Sequence, residues 1–480
     1  MIERLKQIPG MTLYPRSVRR VEGSTFFLAR EVQKKFLGIM GNQKDFEGQM
    51  RGEILMCPLT ANNAAVIRNR IPQLHPQPLG LSQSFGFGDR LGLATPGHIL
   101  ALQKSRAIAP IFAQQSMREN ARTGRTPQEV LDDAMWGVFQ EGWREPWGAD
   151  ADHLNHPDDI DHCVTAGYSF FTFDPGEFVD NTVEHDSLKT IQEKFRSLPW
   201  DIFKRSPREM EEAYVGQTVN LGSGFSMTFD LQTLLRAGCK YGHAIGQVVR
   251  MYRHLTRLTK NFELEISVDE TETPTTIEEH YFIAAELKRL GVNWISLAPR
   301  YAGRFEKGVE YIGDLNKFED DLKFHAAIAR KIGPYKLSLH SGSDKFSIYP
   351  IFSNHTNGIA HLKTAGTSYL EALRVIAKLN PGLFRAIYSL AIERYPQDRS
   401  TYHVSADLSH APKIDQFKVD ELPRVLDDFH AREILHVTYG SALAQLKDKI
   451  LASLSENESD YLRVLQEHFV KHLQSFTQGE

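Results

Sequence analysis

The chain has 480 residues, 41% hydrophobic and 24% charged, proportions that exclude a disordered, collagen-like or low-complexity protein and permit a substantial buried core. Its 56 lysines and arginines against 60 aspartates and glutamates leave a net charge of −4 with mixed signs, so no basic stripe points to nucleic acid. Three widely spaced cysteines, Cys57, Cys163 and Cys239, exclude a disulfide framework and suit a reducing cytoplasm.

In chain order, Met1-Ile-Glu-Arg-Leu-Lys lacks the apolar core of a secretory signal, and no window approaches the roughly 18 uncharged apolar residues of a spanning helix. A protein without membrane or nucleic-acid partners is expected, and a homo-oligomer is compatible with this. Residues 1 to about 80 do not share the alternation that follows and read as an N-terminal α/β extension, linked at Pro72 to Pro78. Short β-branched and aromatic runs then alternate with helical stretches: Ser82 to Asp89, Ile108 to Gln114, Gly148 to His153, Tyr168 to Asp174, Phe262 to Asp269, Asn293 to Pro299, Tyr335 to His340 and Thr401 to Asp407, with a ninth at Ile434 to Gly440. Thr126-Pro127-Gln128-Glu129 carries a helix-start pattern, and Thr275-Thr276-Ile277-Glu278 repeats it in a helix that stops at Leu290-Gly291. Eight alternations predict a (β/α)8 barrel over residues 81–480, with an insertion at about 176–230; an open doubly wound sheet is the rival.

Polar residues sit at the ends of these runs: Asp89-Arg90, Gln114-Gln115-Ser116, Asp150-Ala151-Asp152-His153, Asp174, Asp269-Glu270, Arg300, His340-Ser341 and Asp407. In a barrel those ends converge on the catalytic face. Period two puts Asp150 and Asp152 on one side of their strand, with His153 at its exit; the alternative is a capping aspartate and an exposed histidine. In Phe262-Glu-Leu-Glu-Ile-Ser-Val-Asp269 the same period turns Glu263, Glu265, Ser267 and Asp269 inward, which is costly unless they meet a metal, a cation or a substrate. A short strand with a solvated face is the alternative there. His340 precedes a glycine and serine turn whose N–H groups are expected to receive an anionic or hydroxylated ligand; alternatively it is a satisfied core histidine. Arg90 and Lys345 supply the positive charge that a substrate carboxylate or phosphate requires.

Gly86-Phe-Gly-Asp-Arg-Leu-Gly92 is one residue too long for a dinucleotide fingerprint. The chain has neither a phosphate-binding Gly-x-x-x-x-Gly-Lys loop nor a Gly-x-Ser-x-Gly elbow.

These strings, with Pro110-Ile-Phe-Ala-Gln-Gln-Ser, Trp136-Gly-Val-Phe-Gln-Glu-Gly, Gly148-Ala-Asp-Ala-Asp-His, Ser267-Val-Asp-Glu-Thr-Glu-Thr-Pro-Thr, Glu306-Lys-Gly, Ser338-Leu-His-Ser-Gly-Ser-Asp-Lys-Phe-Ser and Lys363-Thr-Ala-Gly-Thr-Ser-Tyr-Leu-Glu-Ala, run in order from about Ser84 to Gly440. Together they resemble the tagaturonate/fructuronate epimerase family. The resemblance implies a cytoplasmic barrel enzyme of hexuronate catabolism that interconverts D-tagaturonate and D-fructuronate with a divalent metal cation. Carried over by motif, it implies Asp152 as proton acceptor, Glu265 as proton donor, and His153, Glu306 and His340 as metal ligands. The inverted carbon of such a keto-uronate lies β to the ketone, so removal and return of an α proton cannot invert it; carbon–carbon cleavage and re-addition, with protons moved on opposite sides, would. The rival functions are another metal-dependent ketose epimerase, isomerase or aldolase on the same barrel, and a sugar-binding protein without turnover.

Overall fold

The computed structural model of the protein describes residues 10–105, 108–222 and 224–477. Residues 1–9 of the expected extension lie outside the described residues. An antiparallel sheet comes first, built from β1 (Met11–Leu13), β2 (Arg19–Val21), β3 (Ser24–Glu31), β4 (Lys34–Met40), β5 (Gln49–Arg51) and β6 (Ile54–Pro58). Alternation along β3 and β4 sends Phe26, Leu28, Leu37 and Ile39 to the main core. Phe27, Ala29 and Phe36 pack on the other face with Met11, Leu13 and Ile54.

Parallel strands follow: β7 (Ser84–Phe87), β8 (Ala109–Ser116), β9 (Gly148–Leu154) and β10 (Phe170–Phe173). The insertion adds helices and a separate hairpin, β11 (Thr218–Gly222) and β12 (Phe225–Thr228). The parallel set resumes with β13 (Glu263–Ser267), β14 (Ser296–Ala298), β15 (Lys336–Leu339) and β16 (Ala360–Thr364), and β16 pairs with β7 to close the ring. The eight strands and their helices form the expected (β/α)8 barrel, not the open sheet.

Seven of the eight predicted strands fall on barrel strands, but the last does not. Thr401 to Asp407 is rich in strand formers yet runs irregularly after a short helical turn, Arg399–Thr401. Its Ser405 and Ala406 N–H groups donate to the carboxylates of Glu306 and Glu433 instead of to a neighbouring strand. The true eighth strand, Ala360-His-Leu-Lys-Thr364, escapes a search for β-branched runs because its inward residues are His361 and Lys363. Ile434 to Gly440, the predicted ninth, is helical: Asp428 caps a helix over Phe429–Val437, and another starts at Tyr439.

Local chemistry sets the helix ends. Thr126 and Thr276 close capping boxes with Glu129 and Glu279 at the starts of Pro127–Glu141 and Ile277–Arg289, satisfying amides that have no partner within the helix. Outside the barrel, Phe85 meets Phe469 of the C-terminal helix Glu458–Thr477 edge to face and Phe87 packs tilted against the same ring, with ring centres 6.2 and 5.4 Å away. Inside it, Asp150, Asp152, Thr172, Glu265, Lys336 and Lys363 are buried together, where branched apolar residues are the usual filling. No helix among the described residues is long and apolar enough to cross a membrane, and all three cysteines are free and buried.

Leu362 tests the placement of β16, since its side chain points outward from the barrel and is 0% exposed. Leu362→Ala should cost about 2–5 kcal/mol of stability, as for a fully packed leucine, and lower the thermal unfolding midpoint. A midpoint equal to that of the wild type would place Leu362 outside the core.

Candidate active site

Lys363 projects from β16 into the barrel, where its ammonium lies 2.7 Å from Asp150, 2.7 Å from Asp152 and 2.8 Å from Glu265. It also donates to Thr172 Oγ1 at 2.6 Å. One positive charge cannot balance three carboxylates, so the acids divide. Burial, opposed by Lys363 but aided by the charges of Asp152 and Glu265, pushes Asp150 up to about 7. Burial also acts to raise Asp152 and Glu265, but Lys363 and His340 outweigh it and hold both below the usual carboxylate range. The Lys363 ammonium is itself disfavoured by burial, yet the three acids raise it well above its ordinary value.

Above this hub stand two histidines. His153, at the exit of β9, has φ of 52°, a left-handed conformation uncommon for residues other than glycine. Its ring meets that of His340 edge to face, with centroids 5.0 Å apart. His153 Nδ1 is 2.9 Å from Asp174 Oδ2, and its Nε2 is 3.7 Å from Asp152 Oδ1. His340 Nε2 is 2.6 Å from Glu265 Oε1, and its Nδ1 is 3.1 Å from Asp269 Oδ1. Burial opposes charge on both rings, but Asp152 and Asp174 raise His153 to about 10, and Asp269 and Glu265 raise His340 to about 9.

His153, Asp269 and His340 each offer one ligand atom, and these atoms lie within 4.8 Å of one another. Two imidazoles and a carboxylate are a donor set that fits a divalent cation. Each imidazole has one nitrogen engaged by a carboxylate, Asp174 for His153 and Glu265 for His340, which is how ligating rings are commonly oriented. Beside this cluster opens a cavity of about 280 Å³, lined among others by Asp269, Arg300, Lys307, His340, Arg118 and Tyr402.

The residues singled out by sequence divide accordingly. Asp152, His153, Glu265 and His340 meet in one buried network. Glu306 reaches the cavity wall, but its carboxylate accepts from Ser405 N and Oγ at 2.8 and 2.7 Å and stands outside the histidine cluster. Asp269, at the exit of β13, is the carboxylate that lies with the two histidines. Arg90 is buried away from the cavity, bound to Glu119 Oε1 at 2.9 and 2.8 Å and stacked 3.6 Å from the centre of the Tyr439 ring. Lys345 is buried as well, its ammonium donating to the carbonyls of Glu306, Val309 and Ser343, and burial lowers its pKa to about 8. Neither cation lines the cavity. In the turn after His340, the N–H groups of Gly342, Asp344 and Lys345 donate within the fold, to Lys363 O, His472 Nε2 and Tyr349 Oη.

Sequence reasoning assigned no role to Lys363 or to Asp174 as the partner of His153. The signal for Lys363 was its period-two spacing from His361, which turns both residues to one face.

The profile of the tagaturonate epimerase family matches residues 14–476. The chain is 43% identical over 473 residues to the tagaturonate/fructuronate epimerase of Thermotoga maritima, covering 97% of this chain and 96% of that protein. Crystal structures of the fructuronate-tagaturonate epimerase from Cohnella laeviribosi, native and complexed with glycerol, superpose with a TM-score of 0.93 at 37% identity, covering 99% of this chain and 98% of theirs.

Removing the shared cation should expose the cost of the buried acids. Lys363→Met is expected to lose about 3–5 kcal/mol, the usual penalty for leaving buried charge uncompensated, read as a drop in the chemical denaturation midpoint. A variant as stable as the wild type would show that the three carboxylates do not depend on Lys363.

Proposed function

The chain belongs to the tagaturonate epimerase family, and from this premise we propose that it interconverts D-tagaturonate and D-fructuronate with a divalent cation held by His153, Asp269 and His340. The observation that carries the reading is the convergence of those three ligand atoms within 4.8 Å, directly above the carboxylates of Asp152 and Glu265. The catalytic unit in this proposal is the barrel of residues 81–480, residues 1–80 are its extension, and the setting is the cytoplasm.

The cation would supply Lewis-acid polarisation at the substrate ketone. The chain's own residues handle the protons. Asp152, kept ionised by Lys363, takes the hydroxyl proton from the carbon to be inverted. The bond between that carbon and its neighbour α to the ketone then breaks, leaving an aldehyde, and re-forms on the aldehyde's other face. Glu265, once it has taken up a proton from solvent, gives that proton to the new alkoxide, and Asp152 then releases the proton it took to solvent, so both carboxylates return to their starting states. The charges of Lys363 and His340 both hold Glu265 down, so it takes up a proton more readily once the His340 ring is neutral, as ligation requires. Because Asp152 and Glu265 both touch Lys363, at 2.7 and 2.8 Å, each carboxylate feels the charge of the other.

Purified enzyme should convert tagaturonate to fructuronate, resolved by stereochemistry, and lose that activity with a chelator. Alanine at His153, Asp269 or His340 should abolish cation uptake in a folded protein, whereas Glu306→Gln should keep it. Cation affinity should rise with pH over the neutral range, up to the values near 10 and 9 to which the two rings are raised, because a protonated imidazole cannot ligate. Turnover that survives chelation, or affinity flat with pH, would contradict this ligand set.

The proton-transfer roles make a separate prediction. Asp152→Asn and Glu265→Gln should retain cation and substrate while the rate falls about 100- to 10,000-fold. Near-normal epimerisation by Glu265→Gln in both directions would remove Glu265 as the acid.

A further inference from the structure

Four cationic side chains line the cavity beside His340 and Asp269: Arg118, Arg300, Arg304 and Lys307. Two already face acids. Arg118 donates to Glu270 at 2.9 Å, and Arg304, its side chain 59% exposed, lies 3.5 Å from Glu306. Arg300 and Lys307 have no ion-pair partner among the described residues. Among the described residues the Lys307 ammonium donates to Ser341 Oγ alone, at 2.5 Å, on the residue that follows His340.

The strand order gives these two cations their meaning. Arg300 lies just past the end of β14, between β13, whose exit carries Asp269, and β15, whose exit carries His340. An anion held there would lie alongside the candidate cation cluster. The guanidinium is half-buried, and burial works against its charge with Asp269 and Glu272 opposing that effect. A charged donor taken partly out of water without a hydrogen-bonded anion gains most from one that arrives with the ligand. The cavity volume, about 280 Å³, lies near the lower end of the roughly 300–1,000 Å³ typical of ligand sites, which suits a six-carbon acid better than a nucleotide.

We propose that Arg300 and Lys307 form the subsite for the substrate carboxylate, Arg300 through its planar fork and Lys307 from the Ser341 side. The assignment deepens the epimerase reading and rests on it for the identity of the anion. It also replaces Arg90 and Lys345, whose donors are spent within the fold. By this account the cation cluster engages the ketone end of the keto-uronate, while Arg300 and Lys307 engage its acid end.

The test uses the full-length, metal-loaded enzyme. Arg300→Ala and Lys307→Ala should each raise KM for tagaturonate about 10- to 100-fold, the range for a lost charge-assisted hydrogen bond, with kcat changed less than about threefold and metal content unaltered. Arg300→Lys should recover part of the loss. In calorimetry the wild type should bind D-glucuronate, a plain hexuronate, more tightly than both alanine variants do. A fall in kcat at unchanged KM, loss of metal in either variant, or a ketohexose 6-phosphate binding more tightly than the hexuronate would overturn the carboxylate assignment. Should the wild type fail to turn over tagaturonate, the epimerase reading falls and calorimetry alone decides the subsite: weaker glucuronate binding in the variants supports it, and equal binding overturns it.

Discussion

Burying an ion in a protein interior costs several kcal/mol unless a partner of opposite charge is held in good geometry. This barrel buries Asp150, Asp152 and Glu265 within 2.7–2.8 Å of one another's common partner, the Lys363 ammonium. The site depends on that contact. Lys363 and His340 hold Asp152 and Glu265 below the usual carboxylate range, and Asp150 absorbs the excess, pushed up to about 7. An apolar barrel interior would pack more cheaply, but it would carry no bases beneath the strand ends.

From this hub the electrostatics propagate upward in pairs. Glu265 holds His340, Asp174 holds His153, and Asp269 lies against the remaining nitrogen of His340. The left-handed backbone at His153 belongs to the same design, since a strained conformation at a strand exit persists where the surroundings over-determine it. The two rings are fixed with their second nitrogens, His153 Nε2 and His340 Nδ1, turned toward Asp152 and Asp269. Ring orientation is thereby set by carboxylates that lie outside the ligand cluster itself.

Much of this was legible in the sequence, because a parallel barrel writes its architecture as strand runs alternating with capped helices. Strand exits announced Asp152, His153, Asp269 and His340, and the inward face of β13 announced Glu265. Legibility failed where charge replaced hydrophobic patterning. β16 carries His361 and Lys363 on its inward face, so it did not read as a strand, and the hub lysine went unassigned with it. Glu306, Arg90 and Lys345 have partners the sequence did not show, for a related reason: a charged residue beside a strand end or in a motif does not reveal whether its donors or acceptors are engaged internally. Ser405 occupies Glu306, Glu119 occupies Arg90, and three backbone carbonyls occupy Lys345. Such partners come from distant segments, which one-dimensional spacing cannot supply.

The central claim is that His153, Asp269 and His340 converge to hold the cation on which epimerisation depends. It is tested most directly by anomalous diffraction from crystals of the enzyme grown with a divalent transition metal. The account predicts one strong peak within bonding distance of His153 Nε2, His340 Nδ1 and an Asp269 oxygen. A peak ligated by Glu306 in place of Asp269, or no peak at the histidines in an active enzyme, would contradict it.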